Sequence, residues 1–268
     1  MLFLLYATVG LIATAWLAGF LFANDLRLPR MNLGRMRRVL VIFPHPDDEV
    51  NVAGLIHRLH RTGSRVTILT LTKGERGTAD AHEEPSLKAI RSSELQRACQ
   101  IMGIDELILE DFGDGQLAGK REQLRAYLQT VFKRVQPDTA LSYDTAGLYG
   151  HEDHIVCAEL VTELAQTQRI ALWYFTLPRR VLRLAPLPEH MAKDPHFRER
   201  RKLPTHHIYV GAAGVLARTQ ACYAHASQLP ATRRSMPFGL PIWLAYSLTL
   251  FEQYAKVEPD GRQTLPRR

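Results

Sequence analysis

Two short stretches of this 268-residue chain concentrate side chains able to hold a metal ion or move a proton: His45-Pro46-Asp47-Asp48-Glu49 and Tyr149-Gly150-His151-Glu152-Asp153-His154. Imidazole and carboxylate together suit a borderline divalent ion, and a catalytic zinc site takes three protein ligands and keeps a position open for water. Two histidines and one aspartate drawn from these stretches would supply that set. Each stretch alone has a plainer reading, because Asp47, Asp48 or Asp153 at a strand end also suits the N-cap of the following helix. Both stretches fall at matching ends of parallel strands, which favours the metal. No Ser or Cys sits in a nucleophile motif such as GxSxG, so the chemistry needs no covalent intermediate.

The elements that must position these residues follow from periodicity. Arg38 to Phe43 is a short β-branched run, and Glu49 to Arg61 carries Val52, Leu55, Ile56 and Leu59 at helical spacing. Strands at Arg65–Thr72, Glu106–Leu109, Thr139–Tyr143 and Ile170–Phe175 alternate with helices at Ser86–Met102, Glu122–Val135 and His154–Leu164. This alternation predicts an α/β fold: a Rossmann-like, mostly parallel sheet with right-handed crossovers and helices on both faces. In such sheets ligands gather at the carboxyl ends of the strands, where both polar stretches lie. Beyond Thr176 a Pro- and Arg-rich stretch leads to a strand at His207–Val210 and a helix at Val215–Ala226. The expected organisation is an anchor at 1–26, a basic linker at 27–37, one catalytic domain at 38–235 and an apolar, aromatic segment with a basic tail at 236–268.

Composition narrows the class. With 46% hydrophobic and 23% charged residues the chain is neither disordered nor fibrous. A domain of this length buries enough surface to fold without disulfides, so a metal here would serve chemistry. Cys99, Cys157 and Cys222 form no CxxC pair and read as buried thiols in a reducing compartment. The net charge of +7 attracts anionic partners, but no nucleic-acid recognition motif accompanies it. Gly74 and Gly77 do not have the spacing of a phosphate-cradling loop, so no nucleotide cofactor is expected.

Leu2 to Ala23 contains no charged residue, and a helix of about 22 residues spans roughly 33 Å, enough for a bilayer core. No basic residue precedes it and the apolar run is long, which favours an uncleaved single-pass anchor over a signal peptide. Arg27, Arg30, Arg35, Arg37 and Arg38 follow against a single Asp25, placing the catalytic body in the cytoplasm.

The two polar stretches, read as HPDDE and GHxDH, resemble the PIG-L/LmbE family of zinc-dependent N-deacetylases. The resemblance covers about residues 38 to 230. It extends to Gly74-Glu75-Arg76-Gly77-Thr78, to Arg91-Ser92-Ser93-Glu94-Leu95 and to Asp111-Phe112-Gly113-Asp114-Gly115. It implies that His45, Asp48 and His154 ligate zinc, or iron in its place, that Asp47 is the general base, and that Arg91 and Asp114 meet the substrate. His151 would then stand free of the metal. A protonated His151, kept charged by Asp153, would stabilise the oxyanion of amide hydrolysis, with Tyr149 as a second donor. Arg91 is equally placed to pair with Glu94 on its own helix. His225, in a segment similar to the family's HxSQ, suits a core or capping role as well.

The activity so implied is a membrane-anchored deacetylase removing acetate from an N-acetylglucosamine unit on a lipid-linked or membrane-proximal glycan. Eukaryotic PIG-L enzymes share an anchor and a cytoplasmic body, whereas Tyr149 to His154 is closer to soluble bacterial members acting on small thiol and inositol conjugates. An amidase on such a conjugate is therefore the second reading, and a non-catalytic glycolipid-binding protein the third. Membrane lipid is the expected partner beyond the substrate. The stretch Pro237–Tyr254, with Arg233 and Arg234 before it, suits either a helix lying in the bilayer interface or a buried C-terminal helix.

Overall fold

The computed structural model describes residues 1–77, 84–184 and 197–257. Thr78, residues 185–196 of the Pro- and Arg-rich stretch and the basic tail lie outside them. The strands are β1 Arg38–Phe43, β2 Arg65–Thr70, β3 Glu106–Leu109, β4 Thr139–Ser142, β5 Ala171–Thr176, β6 His206–Tyr209 and β7 Phe251–Val257. They form one sheet in the order β3-β2-β1-β4-β5-β7-β6. All neighbours from β3 to β5 run parallel, and β7 runs antiparallel to both β5 and β6. The chain winds outward from β1 to β3, then returns to the other side of β1 as β4. That reversal leaves a crevice at the carboxyl ends of β1 and β4.

The helices are α1 Leu2–Ala23, α2 Ala53–Arg61, α3 Glu84–Met102, α4 Arg121–Val135, α5 Gly147–Gly150, α6 Glu152–Thr167, α7 Arg179–Leu184, α8 Phe197–Arg200, α9 Gly211–Ala224, α10 Leu229–Ser235 and α11 Ile242–Ser247. Successive strand residues point to opposite faces, so each face of β1 has its own core. Val39, Val41 and Phe43 pack with Leu55 and Ile56 of α2 and Leu95 and Met102 of α3. Leu40 and Ile42 pack with Leu124 and Leu128 of α4 and Leu160 and Val161 of α6. The three cysteines are free and buried. Helix α1 contributes nothing to either core and is long and apolar enough to cross a membrane.

Three expectations are corrected. The helix expected from Glu49 opens as a 3-10 turn over Asp48–Val52, and α2 begins at Ala53. The late strand and helix each start earlier than periodicity suggests, at His206 and Gly211. Pro237–Tyr254 is no single helix: Pro237, Gly239 and Pro241 interrupt it, and from Phe251 it becomes β7, inserted between β5 and β6. The domain therefore extends past 235.

The charge that disguises β7 is Glu252, which is buried. Its carboxylate accepts the N–H groups of Gly54 and Leu55 at 2.9 and 3.0 Å, capping α2, and pairs with the buried Arg218 while Tyr254 donates to it. Removing one member strands the other charge in the interior. Glu252→Ala should cost about 3–5 kcal/mol in urea unfolding, and pairing it with Arg218→Met should recover part of that loss.

Candidate metal centre

The crevice is built by two bends. Pro44 and Pro46 fix φ on either side of His45 and carry the chain over the edge of β1. Asp47 follows with φ 96°, a left-handed conformation that costs a non-glycine residue about 1–3 kcal/mol and is held by surrounding structure. Here its N–H donates to the Glu49 carboxylate at 2.9 Å. On the β4 side, Gly147 turns at φ 67°, and a Cβ there would lie 3.0 Å from the Cβ of His154, so glycine lets this loop close over α6.

Three donors converge between the bends. His45 Nδ1 lies 3.1 Å from His154 Nε2 and 3.6 Å from Asp48 Oδ2, and His154 Nε2 lies 3.4 Å from Asp48 Oδ1. Metal–ligand distances of about 2.0–2.1 Å at tetrahedral angles require donors roughly 3.3 Å apart. The triangle fits one divalent ion. All three residues are buried. His151 brings a ring nitrogen within 4.8 Å of those of His45 and His154, so the cluster holds three histidines.

The next layer orients this set. His45 Nε2 faces Asp114 Oδ1 at 3.1 Å and Asp153 Oδ2 at 3.2 Å, the carboxylate backing that fixes the tautomer of a ligating imidazole. These carboxylates form a second group with His45, but on the ring's far side. Burial opposes charge on His45, yet Asp114, Asp153 and Asp48 raise its pKa well above the usual value. Burial, with His45 and His151 nearby, pushes His154 down to about 3 against the pull of Asp48, leaving the neutral ring a ligand must be. Asp48 resists its own burial through His154 and His45, which hold its carboxyl well below the usual range.

The two adjacent carboxylates part company. Asp48 turns to the histidines, while Asp47, half-buried, faces Arg91 at 3.2 Å. Burial and the charge of Asp48 push Asp47 up to about 6, with Arg91 opposing. Arg91 does not pair with Glu94. Its guanidinium is buried against the carbonyls of Gly74 and Pro46, and Glu94 instead accepts from Ser227. A Cβ on Gly74 would sit 2.5 Å from that guanidinium, so glycine makes the contact possible. Asp114 is likewise engaged, by His45 and the N–H of Arg76. Arg91 thus contacts Asp47, and Asp114 contacts His45.

The charge expected on His151 is corrected. Its Nδ1 accepts the backbone N–H of Asp153 at 3.2 Å, capping α6, and a nitrogen that accepts carries no proton. Burial and His45 lower its pKa. The carboxylate of Asp153 turns away, to His45 and the N–H groups of Gly115 and Leu117. His151 is therefore a neutral donor through Nε2. The Tyr149 hydroxyl reaches His154 Nε2 at 3.5 Å.

Sequence reasoning missed Tyr143, which follows the last residue of β4. Its hydroxyl donates to Asp48 Oδ1 at 2.9 Å, accepts from Asn51, and its ring stacks on His154 at 4.7 Å. Tyr143→Phe keeps the stack and removes the hydroxyl. Metal affinity should fall about 10- to 100-fold in a chelator-competition titration, with the fold intact. His225 and Glu49, 176 residues apart in sequence, are buried partners of one another.

The site is a His/Asp cluster at the switch point of an α/β sheet. Residues 40–165 match the family model PIG-L, GlcNAc-PI de-N-acetylase. It is 36% identical over 137 residues to a probable N-acetyl-alpha-D-glucosaminyl L-malate deacetylase 2 of Bacillus anthracis, covering 49% of this chain and 60% of that one. The chain thus spans less than two thirds of that relative's length. The N,N'-diacetylchitobiose deacetylase of Pyrococcus horikoshii shares the fold with TM-score 0.61 and 20% identity, covering 88% of each chain. So does GalB, a 4-carboxy-2-hydroxymuconate hydratase of Pseudomonas putida, with TM-score 0.56 and 19% identity over 87% of this chain and 98% of that one. One fold thus carries different chemistries, and the activity must be argued from the site.

Proposed function

We propose that this protein is a metal-dependent N-deacetylase that removes acetate from an N-acetylglucosamine unit of a membrane-proximal glycoconjugate. The observation that carries the reading is the His45–Asp48–His154 triangle with a second carboxylate, Asp47, held apart beside it. His45, Asp48 and His154 would hold one divalent ion, zinc or iron, which supplies a Lewis acid and an acidified water. Asp47 takes the proton of the attacking water as the new C–O bond forms. The Nε2–H of His151 and the hydroxyl of Tyr149 donate to the carbonyl oxygen as negative charge grows there. The C–N bond then breaks, and the proton held by Asp47 passes to the departing amine. Arg91 and Asp114 are positioning residues, one for Asp47 and one for His45.

Helix α1 serves as the anchor in this reading, and the arginines from Arg27 onward keep the body in the cytoplasm. The malate conjugate named for the Bacillus relative favours a second substrate class, a small soluble N-acetylglucosaminyl conjugate. One experiment separates them. Metal-loaded protein in vesicles is given membrane glycolipid or soluble N-acetylglucosaminyl conjugates, and acetate release is followed by mass. Release from lipid-linked glycan supports the first reading, release only from soluble conjugates supports the second, and none from either removes the deacetylase assignment.

A further inference from the structure

The last two turns of α1 are not free. Trp16 Nε1 donates to Ser247 Oγ at 3.4 Å, and a Cβ on Gly19 would touch Leu248 at 3.1 Å. Phe20 meets the ring of Phe251 at 6.3 Å. Arg180 of α7 donates to the carbonyl of Leu21. Asn24, buried just past the helix, donates to the Leu248 carbonyl at 2.6 Å and accepts the N–H of Phe251 at 3.0 Å. The helix is bolted to the body from Trp16 onward.

Length then decides where the body sits. The unengaged part, Leu2 to Ala15, is about 21 Å long at 1.5 Å per residue. A hydrocarbon core is about 30 Å thick. If α1 spans a bilayer, its docked turns must also enter the membrane and bring their partners with them. Those partners are the end of α11, the segment into β7, and α7.

What surrounds these partners suits lipid. Phe238, in the turn before α11, is 97% exposed and is held at a left-handed φ of 55°, and Trp243 of α11 is 57% exposed. Arg183 at the end of α7 and Arg233 and Arg234 of α10 are exposed as well. Exposed aromatics beside arginines match an interface of acyl chain and anionic headgroup.

We infer that the face formed by α7, the Phe238 turn and α11 is seated in the headgroup region of an anionic phospholipid bilayer, as a second membrane contact beside α1. The inference rests on α1 spanning a membrane. The seated face shares an edge with the metal centre: Gln253 pairs with Thr176, the last residue of β5, so β7 begins at the carboxyl edge. From β1 to β7 is three strand steps, about 14 Å. The crevice consequently opens beside the membrane surface.

The test uses the full chain reconstituted in phosphatidylcholine–phosphatidylglycerol vesicles. Cys99, Cys157 and Cys222 are buried, so an introduced surface cysteine takes a polarity-sensitive fluorophore selectively. The label is placed in turn through Val9→Cys in α1, Phe238→Cys, Trp243→Cys, and Lys133→Cys near the amino edge of the sheet. Nitroxide-bearing lipids then report contact. Emission should be largely quenched at 9, 238 and 243 and unaffected at 133. Quenching at 9 with 238 and 243 as bright as 133 overturns the seated face and leaves the anchor standing. No quenching at 9 overturns the anchor and the seated face together.

Discussion

His154→Ala is expected to abolish stoichiometric metal binding and all turnover that depends on it. His154 is fully buried, and its Nε2 lies 3.1 Å from His45 Nδ1 and 3.4 Å from Asp48 Oδ1. Loss of an outer partner of a metal ligand typically costs 10- to 100-fold in affinity, so loss of the ligand itself should cost more. A second readout does not depend on activity. A metal bound only to the folded state, at 100 times its dissociation constant, stabilises it by about 2.7 kcal/mol. Chelator should therefore lower the thermal midpoint of the wild-type protein and leave that of His154→Ala unchanged. A variant that keeps one ion per chain with unaltered affinity would move the centre elsewhere, most directly to the group of His45, Asp114 and Asp153.

The parts of this site legible in the sequence are those with local causes. Short apolar runs and helices of period 3.6 place His45 and His154 behind β1 and β4, and parallel topology brings both strand ends to one edge. Legibility fails where a partner is distant. Nothing near Asp153 says that its carboxylate is drawn away from His151 by Gly115 and Leu117, 38 and 36 positions earlier. Glu252 makes β7 look amphipathic because Arg218 and the start of α2 lie far from it in sequence. Tyr143 reads as one more aromatic in a strand run. Only the register of β4 beside β1 sets its hydroxyl on Asp48. Arg91 is the instructive case: helical spacing offers it Glu94, and the actual contact with Asp47 depends on Gly74 leaving room.

Asp47→Asn is the sharpest test of the division between the two carboxylates. The amide keeps the size and much of the hydrogen bonding of the side chain, and it cannot accept a proton at neutral pH. Because Asp47 faces Arg91 rather than the histidine pair, the ligand triangle should survive the change. Metal content should stay at one ion per chain, while turnover should fall by the 10²- to 10⁴-fold typical of a positioned acid–base group. The fall should appear in kcat, because a general base acts in the chemical step. Arg91→Met offers the complementary measurement. It leaves the base in place but removes the guanidinium that holds it, so turnover should drop less than in Asp47→Asn, and the double variant should be no worse than Asp47→Asn alone. Additive losses would mean that Arg91 acts on the substrate directly, as the family resemblance implies. Normal turnover in Asp47→Asn would take the proton from this carboxylate altogether and leave His151, whose Nδ1 is already occupied by the Asp153 N–H, as a poor substitute.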